Sequence, residues 1–195
     1  PFYERLQPQF SRTRQGALFA EVIENRSGVI TVDRSGIVYG GGVYDGSFNV
    51  DLLADVNGIV RPFALGAVHP APERVLVIGL AGGAWTQVVA NNPGVRQVVV
   101  IEINAGYVDL VARHEPVASL LSNPKVQIVI GDGRQWLKAH PNEKFDAIIM
   151  NITFSWRNNA SNLLSREFLQ LVSSHLADGG VALLNPTGSH EAIAT

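Results

Sequence analysis

The chain has 195 residues, 46% of them apolar and 16% charged, which suits one ordinary domain with a small appendage and excludes a disordered or mucin-like chain. Lys and Arg total 15 against 17 Asp and Glu, a net charge of −2, so no basic excess supports a nucleic-acid partner. The absence of Cys excludes disulfides, thiolate metal sites and a Cys nucleophile.

No run approaches the roughly 18 apolar residues of a membrane span. No signal peptide is visible, and a cytoplasmic protein is the expectation. Pro1 at one end and a truncated helical pattern, Glu191 to Thr195, at the other read as an excised fragment. Any membrane segment would lie outside it.

Residues 18–24, 28–33 and 37–39 are short and rich in β-branched residues. With Asn-Arg-Ser-Gly and Arg-Ser-Gly between them, they predict a β-meander. Gly40-Gly-Gly42 then reads as a break, and 43–57 as a polar, acidic loop holding Tyr44, Asp45, Asn49 and Asp51. Residues 58–68 have helical spacing and stop at His69-Pro-Ala-Pro72. The predicted division is a meander segment over 1–57 and a nucleoside-binding domain over 58–195.

From Glu73 onward strands and helices alternate. Strands are predicted over 74–78, 97–103, 126–130, 145–150 and 181–184. Helices are predicted over 84–91, 105–114, 134–140 and 165–177, the last stopped by Gly179-Gly180. The strands are continuous apolar runs, so helices should cover both faces. That gives an α/β fold with a doubly wound, Rossmann-like parallel sheet.

Gly79-Leu-Ala-Gly-Gly-Ala84 follows the first of these strands and opens a helix. Gly79, Gly82 and Gly83 let the backbone turn and approach a ligand closely, although a plain βα turn has the same composition. Glu102 ends the next strand about 20 residues on, the spacing at which an acid accepts ribose hydroxyls. A solvated strand-end Glu is the alternative. Asp132 and Gly133 follow the third strand, where the acid either meets an adenine amino group or caps a helix. The three signals converge at the carboxyl ends of adjacent strands, where open α/β sheets bind ligands.

With His69 to Gly79, the glycine loop, Val100-Ile-Glu-Ile103, Gly131-Asp-Gly133 and Phe145-Asp-Ala-Ile-Ile149 in view, the chain resembles the spermidine synthase family. Gly28 to Asp33 resembles that family's N-terminal β domain. The resemblance implies a fold of the S-adenosylmethionine-methyltransferase type, normally with two further strands after the fifth. It implies S-adenosylmethionine or decarboxylated S-adenosylmethionine as substrate, with Glu102 on the ribose and Asp132 on the adenine. No metal is implied.

Three family acids are missing from the pattern. Gly82 stands where the family's loop has an Asp facing the substrate. Asn151 stands where the family has the Asp that deprotonates the attacking amine, and Phe154 replaces a second Asp. An amide accepts no proton at neutral pH. The family's amine-contacting Tyr is not apparent either, since counting back from His69 lands near Asn57. The nucleoside half of the site is present and the polyamine half is not.

Other residues divide between functional and plain readings. His69, His114, His140, His175 and His190 lack metal-ligand spacing, and His175 reads as a packed His. Trp85 reads as core before ligand stacking. Phe154 and Trp156 read equally as acceptor-site lining and as lid packing. Tyr44, Asp45, Asn49 and Asp51 read as a solvated loop before pocket-mouth residues. Arg12 and Arg14 read as surface charges.

The expected function is a spermidine-synthase-like transferase domain binding an S-adenosyl nucleoside, its small-molecule acceptor unnamed and its general base unassigned. A non-catalytic nucleoside-binding or assembly module is the alternative, and an NAD-dependent oxidoreductase a third reading. Strand order should be 3-2-1-4-5, leaving strand five at an edge. Bare edges invite pairing, so a symmetric homodimer or a covering N-terminal strand is expected.

Overall fold

The computed structural model describes residues 19–151 and 160–185. The meander has four antiparallel strands in sequential order: β1 (Phe19–Asn25), β2 (Gly28–Asp33), β3 (Ile37–Gly40) and β4 (Val43–Ser47). The fourth strand corrects the loop expected after Gly40-Gly-Gly42. Gly40 pairs with Val43, and Gly41 and Gly42 take φ of 58° and 83° between them. Two successive positive φ values make the two-residue hairpin turn that suits twisted strands, so the glycines join strands instead of ending the sheet.

The second sheet is parallel, with β5 (Arg74–Ile78), β6 (Gln97–Glu102), β7 (Val126–Ile130), β8 (Phe145–Met150) and β9 (Leu176–Leu184) in the order β7-β6-β5-β8-β9. This is the expected 3-2-1-4-5 arrangement, and β9 is its outer strand among the described residues. Successive residues of a strand serve opposite faces. Val75 and Val77 face the core formed with Trp85, Val88, Leu110 and Val111. Leu76 and Ile78 face the core formed with Leu137, Phe168 and Val172. Both faces are covered, which is why these strands show no apolar–polar alternation.

The meander shares the first of these cores. Ile30, Val32, Val38 and Phe48 pack in it with Ile59 and Leu65, so apolar packing runs across the predicted 57/58 division. The Phe48 ring also stacks on His114 at 3.5 Å between centroids, and His114 Nε2 meets Glu21 Oε1 at 2.8 Å.

Several helices are shorter than predicted. The 58–68 segment is two one-turn helices, α1 (Val60–Phe63) and α2 (Leu65–Val68). The Asp55 carboxylate accepts from the backbone N–H of Asn57, Ile59 and Val60 at 3.0–3.1 Å. Burial alone would raise this carboxyl, but these N–H donors, with that of Gly58, hold it below the usual Asp range. Its stabilisation is therefore present above the unfolded value and fades as pH falls through the lowered one. Asp55→Ala is expected to cost about 1 kcal/mol, read by urea unfolding at neutral pH, with the difference from the parent shrinking in acid.

α3 (Ala84–Asn91) follows the glycine loop as predicted. The 105–114 helix stops earlier, as α4 (Gly106–Val111). It is followed by α5 (Glu115–Ala118), with Pro116 in its first turn, and a 3₁₀ turn over Ser119–Ser122. α6 (Gly133–Ala139), α7 (Ala160–Leu163) and α8 (Arg166–Ser174) complete the set. Gly179 and Gly180 do not separate helix from strand. They lie within β9 in a bulge between the pairs Phe145↔Leu176 and Ala147↔Val181, with Gly179 at φ 74°.

Candidate active site

The carboxyl ends of the parallel strands are tied together just past their last residues. Gly79 N–H donates to Ile101 O at 2.9 Å, Gly131 N–H to Glu102 O at 2.9 Å, Asn151 N–H to Ile78 O at 3.0 Å and Asn185 N–H to Met150 O at 3.0 Å. Gly79, Glu102, Gly131, Asn151 and Asn185 are thereby lined up along one rim of the sheet.

Gly79 turns at φ 94°, and a Cβ there would stand 3.0 Å from the Asn151 carbonyl oxygen. Gly83 has φ 82°, and its Cβ would meet Val111 Cγ2 at 3.0 Å and Leu120 Cδ1 at 3.2 Å. It permits the sharp entry into α3 and its close packing. Ala81 holds a left-handed φ of 47° without being glycine, a strained conformation of the kind found at ligand-contacting turns.

Glu102 is 4% exposed, not a solvated strand end. Its Oε2 accepts from Leu80 N–H at 2.7 Å and its Oε1 from Asn104 N–H at 2.7 Å. The carboxylate therefore pins the glycine loop to β6. Burial pushes its pKa up, against the pull of these backbone donors and with a further push from Asp45. Each oxygen has a second lone pair, and Glu102 lines a cleft of about 960 Å³. Gly79, Ala81, Asn104, Asp132, Gly133 and Asn151 line the same cleft.

Asp132 caps α6, its Oδ1 accepting from Gln135 N–H at 2.9 Å, while also lining the cleft. The helix-cap reading of Asp132 holds. Gly133 lies against β5, where a Cβ would meet Ile78 Cγ2 at 2.8 Å.

A second compartment of about 210 Å³ adjoins the first, with Asp45, Ala81 and Asn151 lining both. Tyr44, Asn57, Arg61, Trp85 and Asn185 add to its walls. Asp45 is buried, and its carboxylate accepts from the Tyr107 hydroxyl. This corrects the solvated-loop reading for Asp45; Tyr44 lies in β4 and lines the second compartment while staying exposed. Asn49 and Asp51 line neither space; Asp51 caps its own turn through Leu53 N–H. A tyrosine does reach Asn57: the Tyr44 hydroxyl donates to Asn57 Oδ1 at 3.0 Å. Trp85 is core, as expected, with Nε1–H donating to Asn57 O at 3.0 Å.

The meander closes over Gly82. A Cβ there would stand 3.1 Å from Ser47 O and 3.5 Å from Val38 Cγ2. Gly82→Asp is expected to destabilise the chain by about 1–3 kcal/mol, measured by urea unfolding, because β4 must give way. Asn151 lies where expected, its Oδ1 accepting from Asn185 Nδ2 at 3.2 Å. Phe154 and Trp156 lie outside the described residues, as do Arg12, Arg14 and His190. Sequence reasoning missed Arg61, Asn104, Tyr107 and Asn185. Asn104 at least follows Glu102 by two, the spacing that lets its N–H reach the carboxylate.

The spermine/spermidine synthase domain family matches residues 64–190. The chain belongs to that family. Among curated relatives, a polyamine aminopropyltransferase of Korarchaeum cryptofilum is 30% identical over 131 residues, covering 63% of this chain and 40% of that protein. Polyamine aminopropyltransferase 2 of Hyperthermus butylicus is 30% identical over 151 residues, covering 74% of this chain and 48% of that protein. The chain thus spans about half the length of these relatives or less. A spermidine synthase crystallised with the transition-state analogue AdoDATO superposes with a TM-score of 0.69 at 21% identity, over 84% of this chain and 56% of that one. The spermidine synthase of Thermotoga maritima gives 0.63 at 19% identity, over 84% and 55%. These two likenesses place the fold. No helix among the described residues is long and apolar enough to cross a membrane.

Proposed function

We propose that the chain is a spermidine-synthase-like transferase domain whose larger cleft binds an S-adenosyl nucleoside, either S-adenosylmethionine or its decarboxylated form. The observation that carries this reading is Glu102, a buried acid lining that cleft with lone pairs left for two ribose hydroxyls. Asp132 offers an acceptor to an adenine amino group, and Gly79 and Gly133 line the same cleft. The spermidine synthase bound to AdoDATO, a neighbour in fold, adds support.

In this reading the sulfonium of the bound nucleoside supplies an activated carbon. The chain's own residues hold the nucleoside and aim it at the second compartment across Ala81 and Asn151. Rate would come mainly from positioning. A non-catalytic nucleoside-binding module is favoured by one observation: the Asn151 oxygen is already engaged by Asn185.

Thermal melting with S-adenosylmethionine, decarboxylated S-adenosylmethionine, methylthioadenosine and NAD tests the reading. A ligand at a hundred times its Kd should add about 2.7 kcal/mol of stability. The adenosyl thioethers and sulfoniums are expected to raise Tm and NAD is not. Stabilisation by NAD alone would replace the reading with the oxidoreductase one. Turnover of a bound nucleoside separates transferase from binding module.

A further inference from the structure

The second compartment presents hydrogen-bond donors at the place where the family has a proton-accepting Asp. Arg61 donates through Nη1 to Asn185 Oδ1, and Asn185 Nδ2 donates to Asn151 Oδ1 at 3.2 Å. A guanidinium carries only donors, so its partner on Asn185 has to be the amide oxygen. That turns the Asn185 NH₂ toward Asn151 and occupies the Asn151 oxygen. Asn151 then offers a ligand both donors of its NH₂, against a single remaining lone pair on its oxygen. One cation thus orients two amides in series.

The rest of the lining does not reverse this polarity. The Asn57 amide is spent inside the wall, accepting from the Tyr44 hydroxyl and donating to Ser47 O at 3.0 Å. Gly82 contributes no side chain. Arg61 packs over the Trp85 ring at 5.9 Å and makes no ion pair with any described residue. Among the described residues the one acid of the lining is Asp45, at the boundary with the nucleoside cleft and bonded to the Tyr107 hydroxyl. A diammonium ligand entering this space meets a guanidinium and an NH₂ group. A carboxylate meets charge-assisted donors.

We propose that the second compartment binds a carboxylate, held by Arg61 and the Asn151 amide, with an ammonium of the same ligand facing Asp45. The inference rests on the nucleoside reading only for the identity of the neighbouring ligand. Two sources share this chemistry. One is the amino-acid end of intact S-adenosylmethionine, reaching past Ala81. The other is a separate amino-acid acceptor.

Calorimetry on the chain with two pairs of probes distinguishes them. One pair is S-adenosylmethionine against decarboxylated S-adenosylmethionine. The other, on protein saturated with methylthioadenosine, is 4-aminobutanoate against putrescine. The carboxylate-bearing member is expected to bind about tenfold tighter or more in at least one pair, and that pair names the source. Arg61→Met is expected to cancel the preference and Arg61→Lys to keep part of it. Arg61 is exposed, so both variants should fold, and thermal melting checks this. A carboxylate preference in neither pair, or one that survives Arg61→Met, overturns the proposal. If methylthioadenosine does not bind, the nucleoside reading falls, and the second pair measured without it still decides the question.

Discussion

Glu102→Ala is expected to weaken methylthioadenosine binding by at least about tenfold, while His175→Ala leaves the affinity of the folded protein unchanged. Hydrogen bonds to a charged group are worth about 1.5–3 kcal/mol each, and 1.4 kcal/mol is tenfold. Glu102 would make two of them to the ribose and also holds Leu80 and Asn104, so the substitution loosens the glycine loop as well. Glu102→Gln should behave similarly, because its NH₂ would be set against one of those two backbone N–H groups. His175 is equally buried but bonds backbone carbonyls of Leu171, Leu137 and His140 and lines neither compartment. Calorimetry giving equal affinity for the Glu102 and His175 variants would remove Glu102 from the site.

The raised pKa of Glu102 adds a pH signature. Below the unfolded value its protonation is common to both states, and the favourable contribution of the buried neutral acid is fully present. That contribution is lost as pH rises through the raised folded value, where a buried charge has to be held. If Glu102 holds the ribose as proposed, binding needs the carboxylate, so affinity is expected to run the other way and fall as pH drops through the raised value. Opposite slopes of stability and affinity in one pH window would be the mark of this residue.

The parallel sheet was legible because its signals are local. Val-Leu-Val-Ile and Val-Val-Val-Ile are too short for helices and too uniformly apolar for a half-exposed sheet. The lining of the larger cleft was legible for a related reason. Gly79 follows β5, Glu102 ends β6 and Asp132 lies two residues past β7, so strand prediction carries them to the same rim. β4 was missed because a glycine triplet was read as a break, when positive φ at Gly41 and Gly42 makes a hairpin. The second compartment was illegible because its parts come from separate elements. Arg61 and Asn185 are 124 positions apart, and Tyr107 meets Asp45 from 62 positions away. No spacing rule links such pairs; only the docking of the meander onto the sheet does. That docking also fixes Gly82, whose Cβ space is taken by Ser47 of β4. A side chain at that position is thus opposed by packing.

No meaningful aminopropyl transfer to putrescine is expected from the unmutated chain. The attacking amine must be neutral, yet alkylamines resemble Lys, with pKa about 10.4, so roughly one molecule in two thousand is neutral at pH 7. A positioned base typically contributes about a hundredfold to ten-thousandfold. Asn151 cannot be that base, and its oxygen is held by Asn185. Gly82 has no room for an acid without moving β4, and Arg61 opposes a dication. Asn151→Asp should raise the rate, since Asn185 Nδ2 can donate to a carboxylate as well as to an amide. The gain should stay short of a full base effect while Arg61 remains, and Asn151→Asp with Arg61→Met should exceed either change alone. Among the described residues Asp45 is the one acid that lines both compartments, and the Tyr107 hydroxyl is bonded to it. A product assay with decarboxylated S-adenosylmethionine and putrescine decides the matter. Robust spermidine formation by the unmutated chain would overturn the expectation, and its loss in Asp45→Asn would then identify Asp45 as the base.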